Sequence, residues 1–326
     1  MGRGGGEIKE LEQKSQNALK AHKPLVYDKV IQHGMRIIRL EWSYLCNMRC
    51  EHCSIRELQG KSSRRAMTIE DAKNLADQAH ELGFGQFVIT GGEPTLFGDF
   101  DELVSAIGPQ RFWITADTNG WLMDETRARH WKQIGVDKVQ LSVDSLDADT
   151  HDEFRHKAGA WEHAVDSIWA IKDAGLRLIV QTVVDKKRAM SDELIEFIQF
   201  FNEMRVPVYI SYAKPAGAWA GRDDVMISMD EFAYIEGLAQ RFSVFTHLTP
   251  SYNWPGGCIA AKRMLNVTRY GDVNPCPFMQ ELSIGNLFNE PLRDIEARAM
   301  KRFDGHIPVC LMAMDKEFIN GLHKQP

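Results

Sequence analysis

Three of the six cysteines in this sequence, Cys46, Cys50 and Cys53, fall within eight residues in the spacing C-x3-C-x2-C. Three thiolates on one short loop can each take one corner of a [4Fe–4S] cube and leave the fourth iron open. Zinc is the alternative, but it closes a tetrahedron of four ligands, usually from paired C-x2-C knuckles. His52 is an awkward fourth ligand because it sits between Cys50 and Cys53. Three unrelated thiols would not gather so tightly.

The loop follows an apolar run, Ile37-Ile38-Arg39-Leu40, that reads as a strand. From there the chain alternates. Short β-branched or aromatic runs at 37–43, 86–90, 112–117, 138–143, 177–184 and 206–212 read as strands. Helical patterns lie between and after them, near 68–82, 99–108, 124–135, 161–174, 191–203 and 230–242. Thr68 with Asp71 opens the first helix as an N-cap would, and Gly83, Gly135 and Gly175 close three of them. Six βα units predict parallel strands with right-handed crossovers, as a partial barrel or an open doubly wound sheet. Either architecture places a site at the carboxyl ends of the strands, where the cysteine loop falls. Near residue 245 the rhythm stops, and Pro250, Pro255, Gly256 and Gly257 mark a boundary. The expected division is a helical extension over 1–36, a barrel over 37–245 and a small second domain over 246–326.

Composition narrows the class. The chain has 326 residues, 44% hydrophobic and 26% charged, which is ordinary for a globular protein. A net charge of -6 argues against a general nucleic-acid surface. No apolar run is long enough to cross a bilayer, and the Gly-rich start lacks the core of a secretion signal. These features predict a cytoplasmic protein with reduced cysteines, which favours metal or cluster binding over disulfides.

Other motifs fall on the same edge. The second strand ends Thr90-Gly91-Gly92-Glu93-Pro94, where two glycines would let backbone approach a ligand closely. The third ends Asp117-Thr118-Asn119-Gly120 and the fourth Ser142-Val143-Asp144, with Arg155 beyond. In register with C-x3-C-x2-C, this set resembles the radical S-adenosylmethionine (radical SAM) enzymes. The resemblance implies a partial (β/α)6 barrel in which Cys46, Cys50 and Cys53 hold a [4Fe–4S] cluster whose free iron binds SAM. It assigns SAM contacts to His52, Gly91, Gly92, Glu93, Thr118, Asn119, Ser142 and Arg155. Cleavage of SAM would give a 5′-deoxyadenosyl radical, with an external electron donor such as flavodoxin or ferredoxin. At the ends of strands five and six, Gln181, Tyr212 and Lys214 are candidates for substrate contact or proton transfer.

The other three cysteines come late. Cys258, Gly271 and Cys276 form C-x12-G-x4-C, with a hairpin turn at Tyr270-Gly271-Asp272. This resembles the start of a SPASM or twitch extension, a small α+β domain that holds an auxiliary [4Fe–4S] cluster. The usual C-x2-C continuation is broken, because Cys310 is followed by Ala313. Three outcomes stay open. The fourth iron binds substrate; Asp315 or another oxygen or nitrogen ligand completes the site; or no auxiliary cluster forms and Cys310 donates a hydrogen atom.

The expected function is hydrogen abstraction from a small molecule such as a sugar, cyclitol or nucleotide, leading to oxidation, epimerisation or rearrangement. Residues 1–36 are too short for the winged-helix leader-binding domain of many peptide-modifying relatives. Modification of a peptide or protein side chain is the alternative. A non-catalytic iron–sulfur electron carrier would explain the cysteines, but not Gly91-Gly92-Glu93-Pro94.

Overall fold

In a computed structural model of the protein, residues 35–60, 62–250 and 254–322 are described. The helical extension expected over residues 1–36 lies outside them except for Met35 and Arg36. Seven parallel strands form the main sheet: β1 (Arg36–Ser43), β2 (Phe84–Gly91), β3 (Trp113–Thr118), β4 (Lys138–Ser142), β5 (Arg177–Val184), β6 (Val208–Tyr212) and β7 (Val244–Thr246). They neighbour one another in chain order, as successive βα units require. The helices α1 (Ile69–Glu81), α2 (Phe100–Ile107), α3 (Glu125–Ile134), α4 (Ala148–Arg155), α5 (Ala160–Asp173), α6 (Asp192–Glu203) and α7 (Met229–Gly237) connect them. Thr68 caps α1 in a reciprocal capping box with Asp71, as its sequence predicts.

Most strands are apolar on one side and mainly polar on the other, with Ile37, Val88 and Ile179 as apolar members of the inward row. Ile38, Leu40, Phe87, Ile89, Ile114, Ala116, Val139, Leu141 and Ile210 are fully buried in the common core. The alternate positions Arg39, Gln86, Thr115, Asp117, Lys138, Gln140, Gln181, Tyr209 and Ser211 line an interior cavity. A two-residue period explains both sets: one row packs in the core and the other faces the inside of the curved sheet. A ligand chamber, rather than a packed centre, requires those inward polar side chains.

The C-terminal part joins the same sheet. Strand β8 (Met264–Val267) pairs parallel with β1, on the side opposite β2. It turns back into β9 (Asp272–Asn274), which pairs with β10 (Gly285–Asn286). Helices α8 (Leu292–Arg302), α9 (Leu311–Met314) and α10 (Lys316–Leu322) follow. The hairpin matches its sequence pattern; its pairing with β1 is a finding of the structure. Buried Asn266 on β8 donates to Glu41 on β1 (3.1 Å), and Arg269 donates to the Trp42 carbonyl (2.8 Å). Strand β7, beyond the six expected strands, carries the sheet to residue 246.

Candidate active site

The cysteine loop leaves β1 at Ser43 and is fastened on two sides. Gly92 N donates to the Ser43 carbonyl (2.5 Å), and Glu93 N to that of Leu45 (2.8 Å). A Cβ on Gly91 would lie 2.2 Å from the Ser43 oxygen, and one on Gly92 1.9 Å from the Leu45 oxygen. Gly91 also has φ +118°, which favours glycine. Sequence reasoning gave these glycines to a ligand; the structure shows that their close neighbour is the cysteine loop. On the far side, Glu51 N donates to Phe154 O (2.9 Å), and Arg56 donates to the carbonyls of Arg49 and Cys50.

Cys46, Cys50 and Cys53 are half-buried and share the wall of a cavity of about 160 Å³. The same wall holds His52, Gly91, Gly92, Glu93, Thr118, Asn119, Ser142 and Arg155. Every residue assigned to SAM from sequence is therefore brought to one chamber. Burial pushes the Cys46 thiol up to about 12, so a metal must supply the charge that makes it a thiolate.

Glu93 is buried, and burial raises its carboxyl. Its Oε1 accepts from Thr95 N, Thr95 Oγ1 and Thr118 Oγ1, at 3.1, 2.7 and 2.6 Å. Oε2 accepts from Asn119 N (2.8 Å) and retains capacity for another donor. Arg155 pairs with Asp144 at 2.5 Å and directs Nη1 toward Cys50 Sγ (3.6 Å). Burial alone would raise the Asp144 carboxyl, but the Arg155 guanidinium holds it well below the ordinary range. Sequence reasoning gave no role to Asp144; the signal was the acid two residues after Ser142. Arg155 Nε is buried without a hydrogen-bond partner among the described residues. His52 stacks on Phe154 at 4.8 Å, and burial lowers its imidazole to about 4.

A second cavity, of about 250 Å³, is lined by Cys258, Cys276 and Cys310. Both cavities share Arg39, Asp117, Gln181, Ser211, Lys214 and Phe278, so they meet at this seam. Cys258 N donates to Ile307 O (2.8 Å), and Cys310 precedes α9, whose Ala313 and Met314 amides donate to its carbonyl. Burial raises the Cys258 thiol to about 11 and that of Cys276 to about 12.

The remaining candidates separate. Lys214 Nζ, at the seam, donates to Tyr212 O (2.5 Å) and Ser211 Oγ (3.2 Å) and lies 4.2 Å from the Phe278 ring centroid. Burial lowers its ammonium, against the pull of the nearby cysteines. Tyr212 has the opposite strand parity to Tyr209 and Ser211, and its hydroxyl donates to buried Glu236 of α7. That hydroxyl is engaged by Glu236, although Tyr212 also contributes to the wall of the first cavity. Asp315 accepts from Phe318 N (3.0 Å) at the start of α10 and is not on the cavity wall. Sequence reasoning missed Phe278 and His247, which no motif marks. Both line the second cavity.

The donor sets fit clusters better than single ions. Among the described residues, no three His, Cys, Asp or Glu side chains converge closely enough to share one metal ion. A tetrahedral zinc site needs such convergence, whereas a cube meets each thiolate at a separate corner. No helix of the described residues is long and apolar enough to cross a membrane.

Comparison with known proteins agrees with this arrangement. Residues 40–200 match the model of the radical SAM superfamily, and residues 258–316 match SPASM, an iron–sulfur cluster-binding domain. The chain is 27% identical to an AdoMet-dependent heme synthase of Nitratidesulfovibrio vulgaris, over 80% of this chain and 78% of the relative. It is 25% identical to a PqqA peptide cyclase of Granulibacter bethesdensis, over 74% of this chain and 68% of the relative. The crystal structure of Streptococcus suis SuiB bound to precursor peptide SuiA superposes with a TM-score of 0.62 at 17% identity, covering 91% of this chain and 69% of that one. At that identity the likeness speaks for the fold.

Proposed function

The chain belongs to the radical SAM superfamily and carries a SPASM-type C-terminal domain, and from that premise we propose that it abstracts hydrogen from a small molecule held between two cluster sites. The observation that carries this reading is the seam: two cavities, each walled by three cysteines, share six residues. When bound, the first cluster and SAM supply a carbon radical able to take hydrogen from an unactivated C–H bond.

In this reading, Cys46, Cys50 and Cys53 hold the SAM-binding cluster, and the Gly91 and Gly92 turn fixes their loop. Glu93 Oε2 and nearby carbonyls accept from the SAM ammonium, while Thr118 and Asn119 keep Glu93 in place. Ser142 supplies a hydroxyl for the carboxylate or ribose. Arg155, fixed by Asp144, supplies positive charge beside Cys50 and has Nε available. His52, stacked on Phe154, presents a flat ring to the adenine. Gln181 and Lys214 contact the substrate at the seam, and Cys258, Cys276 and Cys310 hold the auxiliary cluster. The chamber would keep the target carbon close to the radical.

A second reading, modification of a peptide side chain, is favoured by the extent of the likeness to the peptide cyclase, over 74% of this chain. The test is anaerobic reconstitution with SAM and a reductant. We expect about eight irons per chain for two cubes, and formation of 5′-deoxyadenosine that Cys46→Ala abolishes. Absence of 5′-deoxyadenosine with either candidate metabolites or peptides would sink the enzyme reading. Hydrogen transfer from labelled metabolites, against labelled peptides, separates the two substrate classes.

A further inference from the structure

We propose that His247 is the fourth ligand of the auxiliary cluster, binding through Nε2 beside the three thiolates of Cys258, Cys276 and Cys310. The proposal rests on the reading above that these three cysteines hold a cluster.

Its first support is placement. His247 follows β7 at the carboxyl edge of the sheet and lines the same cavity as all three cysteines. The loops carrying His247 and Cys258 are tied together next to both residues, because Gly257 N donates to Leu248 O (3.0 Å). A second support is an unmet need. His247 Nε2 is enclosed and has no hydrogen-bond partner among the described residues. A buried ring nitrogen without a partner carries a desolvation cost that a metal–ligand bond would offset. The ring is also fixed from behind: it meets the Tyr212 ring edge-on at 5.7 Å, and the Tyr212 hydroxyl is anchored on Glu236.

The competing ligands are weaker. Ala313 stands where a fourth cysteine would be expected and offers only a methyl group. The Asp315 carboxylate caps α10 and is not on the cavity wall. Tyr209 lines the cavity, but a phenol must lose its proton to ligate, whereas imidazole ligates as the neutral base. Histidine in place of cysteine on an iron is sound cluster chemistry and raises the reduction potential.

Such a site would be closed. The auxiliary cluster would then exchange electrons with the seam rather than bind substrate through an open iron.

The test is pulsed electron paramagnetic resonance of the reduced, reconstituted full-length chain, grown with ordinary and with heavy-nitrogen histidine. Cys46, Cys50 and Cys53 are replaced by alanine so that only the second site loads. We expect about four irons per chain and a nitrogen coupling that changes with the label and disappears in His247→Ala. His247→Cys should keep the irons, abolish the coupling and lower the reduction potential, because an anionic thiolate replaces a neutral ring. A full iron load without a label-sensitive coupling overturns the proposal. A folded chain that binds no iron overturns the three-cysteine reading itself, and the proposal with it. If the triple variant does not fold, the same labelling of the native sequence decides by difference. A label-sensitive coupling lost in His247→Ala supports the ligand, and an unchanged spectrum refutes it.

Discussion

Asp144 and Arg155 show how one residue pair carries both stability and site geometry. Both are buried, and each is the other's charge partner. Removing the acid leaves a guanidinium uncompensated, so Asp144→Ala should cost about 3–5 kcal/mol in urea unfolding. Asp144→Asn keeps the acceptor for Val183 N (3.0 Å) and should cost less. Next to this pair, His151 accepts from Asp144 N (3.1 Å) through Nδ1 and is almost fully buried. Burial, with Arg155 adding, lowers its imidazole to about 4. Between that value and the unfolded value near 6.5, the unfolded chain binds a proton that the folded chain does not. Stability therefore falls as pH drops through this window, by about 2 kcal/mol at pH 5 relative to pH 7. His52 and His247 are lowered by burial as well and add losses of the same sign, so the check is the difference: His151→Asn should reduce the loss in urea unfolding between pH 7 and pH 5 by about 2 kcal/mol and leave the rest. At this scale the motif residues were legible because chemistry restricts their type. Asp144 was visible but unassigned, since only the folded chain shows which cation a buried acid faces. His247 carried no signal, because a single histidine between Thr246 and Leu248 has no spacing to read.

At the scale of elements, the βα turn after β2 serves the loop after β1. Gly91→Ala and Gly92→Ala place a methyl group inside the van der Waals distance of a backbone oxygen, which cannot swing aside as a side chain can. We expect either substitution to displace the cysteine loop at a cost of about 1–3 kcal/mol. Iron should fall from about eight per chain to about four, with the auxiliary site still loaded. Iron and sulfide analysis of the purified variants checks this, and an unchanged count would show that the turn does not set the loop. The βα series was legible because six apolar runs alternate with capped helical patterns. Helix α4 was not, although Asp147 caps it through Thr150 N (2.8 Å). Its buried residues, His151 and Arg155, are polar, so no apolar period marks it, whereas the equally short α2 buries Phe100, Leu103, Val104 and Ile107. Strand β8 was legible as half of a hairpin, but four residues cannot name a partner at the other end of the chain.

The whole molecule is organised by that partner choice. Because β8 pairs with β1 in one continuous sheet, the two cluster regions share a structural wall. We expect one cooperative thermal transition for residues 37–322, and hydrogen-exchange protection of β1 and β8 amides that rises and falls together. Independent melting of the C-terminal part would contradict this. The same pairing also has a consequence in time. Tyr44, at the start of the cysteine loop, donates to Glu41 (3.2 Å), which in turn accepts from Asn266 of β8. The ring of Tyr44 also meets that of Tyr270 at 5.9 Å. About 220 residues must be synthesised between the end of β1 and the start of β8. At roughly 5–20 residues per second, that interval lasts about 10–40 s on the ribosome. The first cysteine loop to be made is thus among the last parts to be finished. Until β8 arrives, its three thiols sit beside an open strand edge, exposed to oxidants and to one another.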